Sequence, residues 1–305
     1  MMKLGFVSAI LPEQNFEYVV NVASENTFAC VEVACWPKGK SDRRYAGVTH
    51  IDFDELTQSK AEQIKSFLCE KSIEISAIGY YPNPLDADLD KRNACISHLK
   101  KIINGAPLLG VNTVTTFIGR DPLKSVADNM GEFKKVWPDI IKLAEDKNVR
   151  IAIENCPMLF TSDEWPGGKN LATTPKIWTD MFSIIPSDHF GLNYDPSHLL
   201  WQQMDYLKPI YDFSEKLFHV HIKDAKVHKD KLNHVGILAA PLDFHSPKLP
   251  GLGDINWSQF ISALTDVRYG GPLVIEVEDK VFEDTLEDRL TAIKQSRKYI
   301  SQFVV

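Results

Sequence analysis

From Lys3 to Phe303 the hydrophobic period switches between two residues and about three and a half, eight times over, with no linker between the repeats. Strand-like runs fall at Lys3 to Ala9, Ala29 to Ala34, Ile73 to Tyr80, Asn112 to Phe117, Val149 to Glu154, Phe190 to Asp195, Leu217 to Ile222 and Leu273 to Val277. Helix-like segments follow them, at about Glu13 to Glu25, Phe53 to Lys71, Leu89 to Asn104, Leu123 to Asp146, from Thr174-Pro175 onward, within Trp201 to Glu215, at Asn256 to Val267 and at Glu283 to Phe303. Pro138 is expected to kink or divide the fourth of these helices. Eight strand-helix units in unbroken alternation predict an α/β protein, a single-domain (β/α)8 barrel over residues 1 to 305. An open doubly wound sheet also alternates, but no G-x-G-x-x-G follows the first strand and no phosphate-binding loop motif occurs.

Composition narrows the environment and the partners. Hydrophobic residues make up 44% and charged residues 25% of the 305, and no apolar run approaches the roughly 20 residues needed to span a bilayer. The N-terminus enters a strand pattern directly, without a long apolar segment and cleavage site, so a cytoplasmic location is expected. Five cysteines with no C-x-x-C pair indicate neither a disulfide framework nor a thiolate zinc site. A net charge of -7 disfavours a nucleic-acid partner, and membrane association is not expected. Two excursions, Trp36 to Phe53 and Lys223 to Asp254, are too long for tight connections. They belong to an active-site face or to an interface, and a homo-oligomer is compatible with them.

The C-terminal ends of barrel strands open on the active face, and side chains along each strand alternate between interior and helix layer. In Arg150-Ile151-Ala152-Ile153-Glu154, Ala152 and Glu154 share the side opposite Ile151 and Ile153, which suits the interior. In Leu217 to Asp224, Phe218, Val220 and Ile222 face the helices, leaving His219, His221 and Lys223 inside, where polar groups are costly unless paired or ligating. Glu276 faces in between Ile275 and Val277, and Asp195 ends the sixth strand before Pro196. Three carboxylates and a histidine thus converge on one mouth. Carboxylates so close repel unless a cation sits among them. This oxygen-rich set suits one divalent ion: Mn²⁺, Mg²⁺, Co²⁺ or Zn²⁺, with two of six coordination positions left for substrate oxygens. Independent rim salt bridges to Lys223 and Arg150 are the alternative for any one residue, and Asp195-Pro196 also reads as a helix start.

Ile-Glu-Asn at 153 to 155, Asp-Pro-Ser-His at 195 to 198, His-Val-His-Ile-Lys-Asp at 219 to 224, Pro-Gly-Leu-Gly-Asp-Ile-Asn-Trp at 250 to 257 and Ile-Glu at 275 to 276 carry a resemblance over nearly the whole chain. It resembles the sugar phosphate isomerase/epimerase family, xylose isomerase-like TIM barrels related to ketose 3-epimerases and endonuclease IV. The resemblance implies Glu154, Asp195, His221 and Glu276 as ligands of a divalent ion, Mn²⁺ favoured. It further implies Glu154 and Glu276 as the proton-transferring pair, and His198 as a group binding a substrate oxygen or a metal-bound water. The chain departs from ketose epimerases at Lys226, Val227 and His228, where many of them carry a substrate-binding Arg. It departs from endonuclease IV at Tyr80, at Phe117 to Arg120 and at Leu232-Asn233-His234, where that enzyme has further metal ligands, so its trinuclear site is not expected.

The chemistry expected is isomerisation or epimerisation of a sugar or keto-sugar, through proton abstraction and a metal-stabilised enediolate. A lyase expelling a leaving group from the same intermediate is the alternative, ahead of a nucleic-acid hydrolase or a non-catalytic sugar-binding barrel. Lys223 would bind a substrate oxygen or neutralise the carboxylates. Glu32, on one strand face with Ala34 and Trp36, would contact substrate or make a structural polar contact. Trp36, Tyr80, Trp165 and Trp201 would stack on sugar C–H faces or pack their own loops.

Overall fold

A computed structural model describes residues 2–39, 45–159 and 167–304. Eight parallel strands close a barrel in the order expected from the alternation: β1 (Lys3–Val7), β2 (Cys30–Ala34), β3 (Glu74–Gly79), β4 (Thr113–Thr116), β5 (Arg150–Glu154), β6 (Phe190–Tyr194), β7 (Leu217–Ile222) and the last barrel strand, β10 (Pro272–Ile275). The last strand closes on the first, with Leu4 opposite Leu273 and Phe6 opposite Ile275. On its other side β1 packs closely on β2 at Gly5, where a Cβ would stand 2.5 Å from the Cys30 carbonyl oxygen.

Helices α1 (Phe16–Glu25), α2 (Gln58–Lys71), α3 (Leu89–Gly105), α4 (Val126–Asp146) and α5 (Pro175–Ile184) alternate with the strands, and α9 (Trp257–Asp266) and α10 (Leu286–Ile300) complete the outer layer. Side chains start them. Asn15, Thr57, Ser125, Thr174 and Asn256 each accept a first-turn N–H, and Thr285 with Asp288 forms a reciprocal capping box. Thr57 begins α2 five residues later than the apolar pattern suggested. Phe53 is buried in the preceding loop, in the space above Gly105. Pro138 does not divide α4, which runs unbroken for 21 residues. A proline removes one helical hydrogen bond, and the buried face of Phe133, Trp137, Ile140, Ile141 and Ala144 outweighs that loss.

The sixth helical segment differs from expectation. Two short helices replace it, α6 (Ser197–Trp201) directly after Asp195-Pro196 and α7 (Lys208–Asp212) after a turn in which Asp205 Oδ1 accepts from the amides of Leu207 and Lys208. The long excursion after β7 is also ordered. It forms an antiparallel hairpin of β8 (Asp224–Val227) and β9 (His245–Lys248), carrying α8 (Lys229–Val235).

Two irregularities interrupt the barrel ladder. Between Val31 and Glu32 the partner strand advances from Ile75 to Ala77, and between Leu192 and Asn193 it advances from Leu217 to His219. Ser76 in β3 and Phe218 in β7 are therefore extra residues, each re-aiming the side chains beyond it. Trp165 lies outside the described residues. No helix among the described residues is long and apolar enough to cross a membrane.

Candidate active site

Inward alternation brings the expected four residues together. One donor atom each from Glu154, Asp195, His221 and Glu276 lies within 4.8 Å of all the others. Glu154 is the last residue of β5, His221 lies near the end of β7, and Asp195 and Glu276 stand one residue beyond β6 and β10. Asp195 and His221 are buried, Glu154 is 3% exposed, and Glu276 is the most open of the four.

Asp195 divides its oxygens between two tasks. Oδ1 accepts the Ser197 amide at 2.8 Å and starts α6, so the helix-start reading of Asp-Pro holds for that oxygen. Oδ2 turns to the centre, 2.9 Å from Lys223 Nζ and 3.2 Å from His198 Nε2. Asn155 holds the backbone here, accepting the Asp195 amide at 2.8 Å and donating to its carbonyl at 2.9 Å.

His221 is fixed from behind. Its Nε2 lies 2.7 Å from Glu32 Oε2, leaving Nδ1 facing Glu276 Oε2 at 3.3 Å and Glu154 Oε1 at 3.7 Å. This is the arrangement in which a carboxylate orients a ligating imidazole. Glu32 is fully buried and also accepts from Tyr81 Oη and from Thr115 Oγ1. The structural polar contact, one of the two roles expected for Glu32, is present, and Glu32 also lines the cavity beside the centre. A second buried layer lies below: His219 Nδ1 meets Asn193 Oδ1 at 2.9 Å, and His219 Nε2 meets Ser76 Oγ at 3.1 Å.

Electrostatics follow from this geometry. Burial alone would raise Asp195, but the charges on Lys223 and His198 reverse the effect and hold it well below the usual carboxylate range. Burial opposes charge on Glu154 too, and His198, His221 and Lys223 bring it down. Glu32, likewise penalised by burial, is lowered to about 2 by His221 and His219. Burial would discharge Lys223, yet Asp195, Glu276, Glu278 and Glu154 push it well above an ordinary lysine. Burial pushes His219 down to about 3, so it stays neutral.

The donor set fits a divalent cation. His221 Nδ1 and His198 Nε2 are buried without a well-formed hydrogen bond, and they face the same centre as Asp195 Oδ2, whose contacts there are the ion pairs to Lys223 and His198. Orphaned buried polar atoms are costly, and a metal satisfies an imidazole nitrogen and carboxylate oxygens together.

Beside this centre lies a cavity of about 70 Å³. Ala9, Ala34, Trp36, Tyr81 and Phe117 form an apolar wall, facing Glu154, Lys223 and Glu276. A second cavity, about 160 Å³, shares Cys156 and Glu278 with the first and is walled by Met158, Leu159, Trp201 and Leu242. Trp36 and Trp201 thus each line a cavity, and His198 lines the second. Tyr80 is buried edge-on between Trp36 and His98, and its neighbour Tyr81 takes the cavity position. Tyr81, Asn193, Cys156 and Glu278 were not singled out from sequence. Extending the inward alternation one step past Gly79, Glu154 and Glu276 reaches Tyr81, Cys156 and Glu278.

Comparison with known proteins agrees with the architecture. Similarity to the Bacillus subtilis protein YfiH is 26% identity, covering 99% of this chain and all of YfiH. An inosose dehydratase of Clostridium perfringens is 30% identical over 143 residues, 44% of this chain and 45% of that enzyme. Among solved structures, a zinc-bound IolI protein superposes with a TM-score of 0.72 at 16% identity, and D-psicose 3-epimerase of Clostridium cellulolyticum with 0.72 at 15%, each covering 99% of both chains. The family described as xylose isomerase-like TIM barrel matches residues 20–303, and the chain belongs to that family.

Proposed function

We propose that the protein is a divalent metal-dependent enzyme that moves a proton on the carbon next to the carbonyl of a sugar or keto-sugar, as an isomerase or epimerase. The observation that carries this reading is the pairing of Glu154 with Glu276 across a centre that also holds Asp195 and His221. A bound divalent ion, Mn²⁺ favoured, would draw charge toward the oxygens of an α-hydroxy ketone and so acidify the C–H between them.

The residues supply the rest. Glu154 Oε1 and Glu276 Oε2 face the centre, leaving the second oxygen of each to take or return a proton. His198 Nε2, 3.6 Å from Glu154 Oε1, and Lys223 Nζ are placed to hold substrate oxygens. Trp36, Tyr81 and Phe117 offer an apolar wall for the carbon face of the substrate. Exchange of substrate C–H for solvent deuterium, followed by NMR over a panel of ketoses and inososes with Mn²⁺, tests the reading. Glu276→Gln should slow exchange roughly 10²- to 10⁴-fold. Unchanged exchange in that variant would refute the proton-transfer role.

A lyase outcome is the second reading. It is favoured by the inosose dehydratase relatives and by the second cavity, where a departing group has room beside His198. A product lighter by one water, or by a larger leaving group, would decide for elimination over reprotonation.

A further inference from the structure

We propose that Lys223 is a tethered cation that holds the ligand carboxylates together in the ion-free protein and is exchanged against the divalent ion when it binds. The proposal rests on the reading of Glu154, Asp195, His221 and Glu276 as ligands. Lys223 Nζ lies 2.7 Å from Glu276 Oε2, 2.9 Å from Asp195 Oδ2 and 3.8 Å from Glu154 Oε1, which are oxygens of three of those four residues. Its side chain is 3% exposed, so this ammonium lies inside the centre and is not a surface counter-ion.

Five carboxylates, Glu32, Glu154, Asp195, Glu276 and Glu278, surround this region, and among the described residues Lys223 is the lysine that pairs with four of them. Without a cation the acidic cluster would repel itself, and the ammonium removes that repulsion. A divalent ion needs the same Glu276 and Asp195 oxygens. Two cations a few ångströms apart in a buried site repel strongly, so occupancy of one weakens the other.

The surroundings provide for the displaced ammonium. Glu278 Oε2 is 3.2 Å from Nζ, belongs to no expected ligand set, and lines the cavity with Lys223. Lys223 is the single residue between β7 and β8, so its backbone is held on both sides and the exchange is a movement of its four-carbon stem. Carried toward Glu278, the ammonium stays on the cavity wall, where substrate oxygens arrive.

Calorimetric titration of the metal-stripped protein with Mn²⁺, together with thermal melting of ion-free and Mn²⁺-saturated samples, tests the exchange. Lys223→Met should bind Mn²⁺ at least tenfold more tightly. Its ion-free form should melt roughly 5 °C or more below wild type, with the deficit removed on saturation. Glu278→Gln should weaken Mn²⁺ binding several-fold in the wild-type background and much less beside Lys223→Met, because its effect runs through the lysine. Wild-type or weaker affinity in Lys223→Met, an undiminished ion-free melting temperature, or an equal Glu278→Gln effect in both backgrounds overturns the exchange alone. Absence of Mn²⁺ binding by wild type overturns the ligand reading and the exchange with it. Should Lys223→Met fail to fold without metal, Lys223→Gln carries the same affinity comparison.

Discussion

At the scale of single residues, the site is built by giving each polar atom one task. Glu32 shows this best: it sits on the opposite side of the His221 ring from the expected ion and turns the imidazole so that Nδ1 faces Glu276 and Glu154. Glu32→Gln, which keeps the shape but weakens that hold, should loosen metal binding by roughly 10- to 100-fold. The protein should remain folded, as read by calorimetry and circular dichroism. Glu154, Asp195, His221 and Glu276 were legible in the sequence because strand alternation and strand-end position are local properties. Glu32's partner was not, since its contact with His221 spans 189 positions and depends on how β2 and β7 face each other inside the closed barrel. Cys156 and Glu278 were hidden differently. They lie two residues past Glu154 and Glu276, outside β5 and β10, and are reached only by carrying the inward alternation beyond the strand ends.

Among the elements, the β8–β9 hairpin converts a polar, proline-containing stretch into a wall of the second cavity. Asp224 anchors it. One buried carboxylate accepts the amides of Ala225, Gly251 and Ile255 and the indole N–H of Trp257, at 2.8 to 3.1 Å. The Asp-Ile-Asn-Trp motif and the lysine-aspartate pair that follows β7 are thus two halves of one latch. Asp224→Ala leaves four donors without their acceptor, and a loss of about 2–4 kcal/mol is expected, measured by urea denaturation. Gly253 is part of the latch as well, since a Cβ there would lie 2.2 Å from Asp224 Oδ1. Sequence periodicity could not find this hairpin: β8 and β9 have four residues each, and Pro247 lies within the second. The same limit explains α6 and α7, five residues each, too short to show a helical stripe.

For the whole molecule, the eight-unit barrel was readable because every strand and every long helix buries a face with its own period, and closure follows from count and direction. Its response to acid was not, because it depends on histidines that become buried only on folding. His245 stacks on Trp201 at 5.1 Å between centroids and meets the Pro241 carbonyl through Nδ1, and burial lowers it from 6.5 to about 4. His50 and His98 are also shifted down, chiefly by burial. With the folded value below the unfolded one, the unfolded chain takes up the proton first. The contribution of His245 is complete above about pH 6.5 and is lost as pH falls toward 4, amounting to about 3 kcal/mol. Melting temperature measured across that range should fall less steeply in His245→Gln than in wild type.

The extra residues in β3 and β7 bear on how such a chain can change length. These strands lie opposite one another in the closed barrel, and the Ser76 to His219 contact spans the interior between them. Removing one residue from β7 below His219 would rotate every later side chain to the other face, carrying His221 and Lys223 out to the helices. Insertions at the tip of the β8–β9 hairpin carry no such penalty, because nothing downstream takes its facing from that tip. Descendants of this chain can therefore reshape the mouth by adding or dropping residues in its loops, while the two bulged staves have to keep their count.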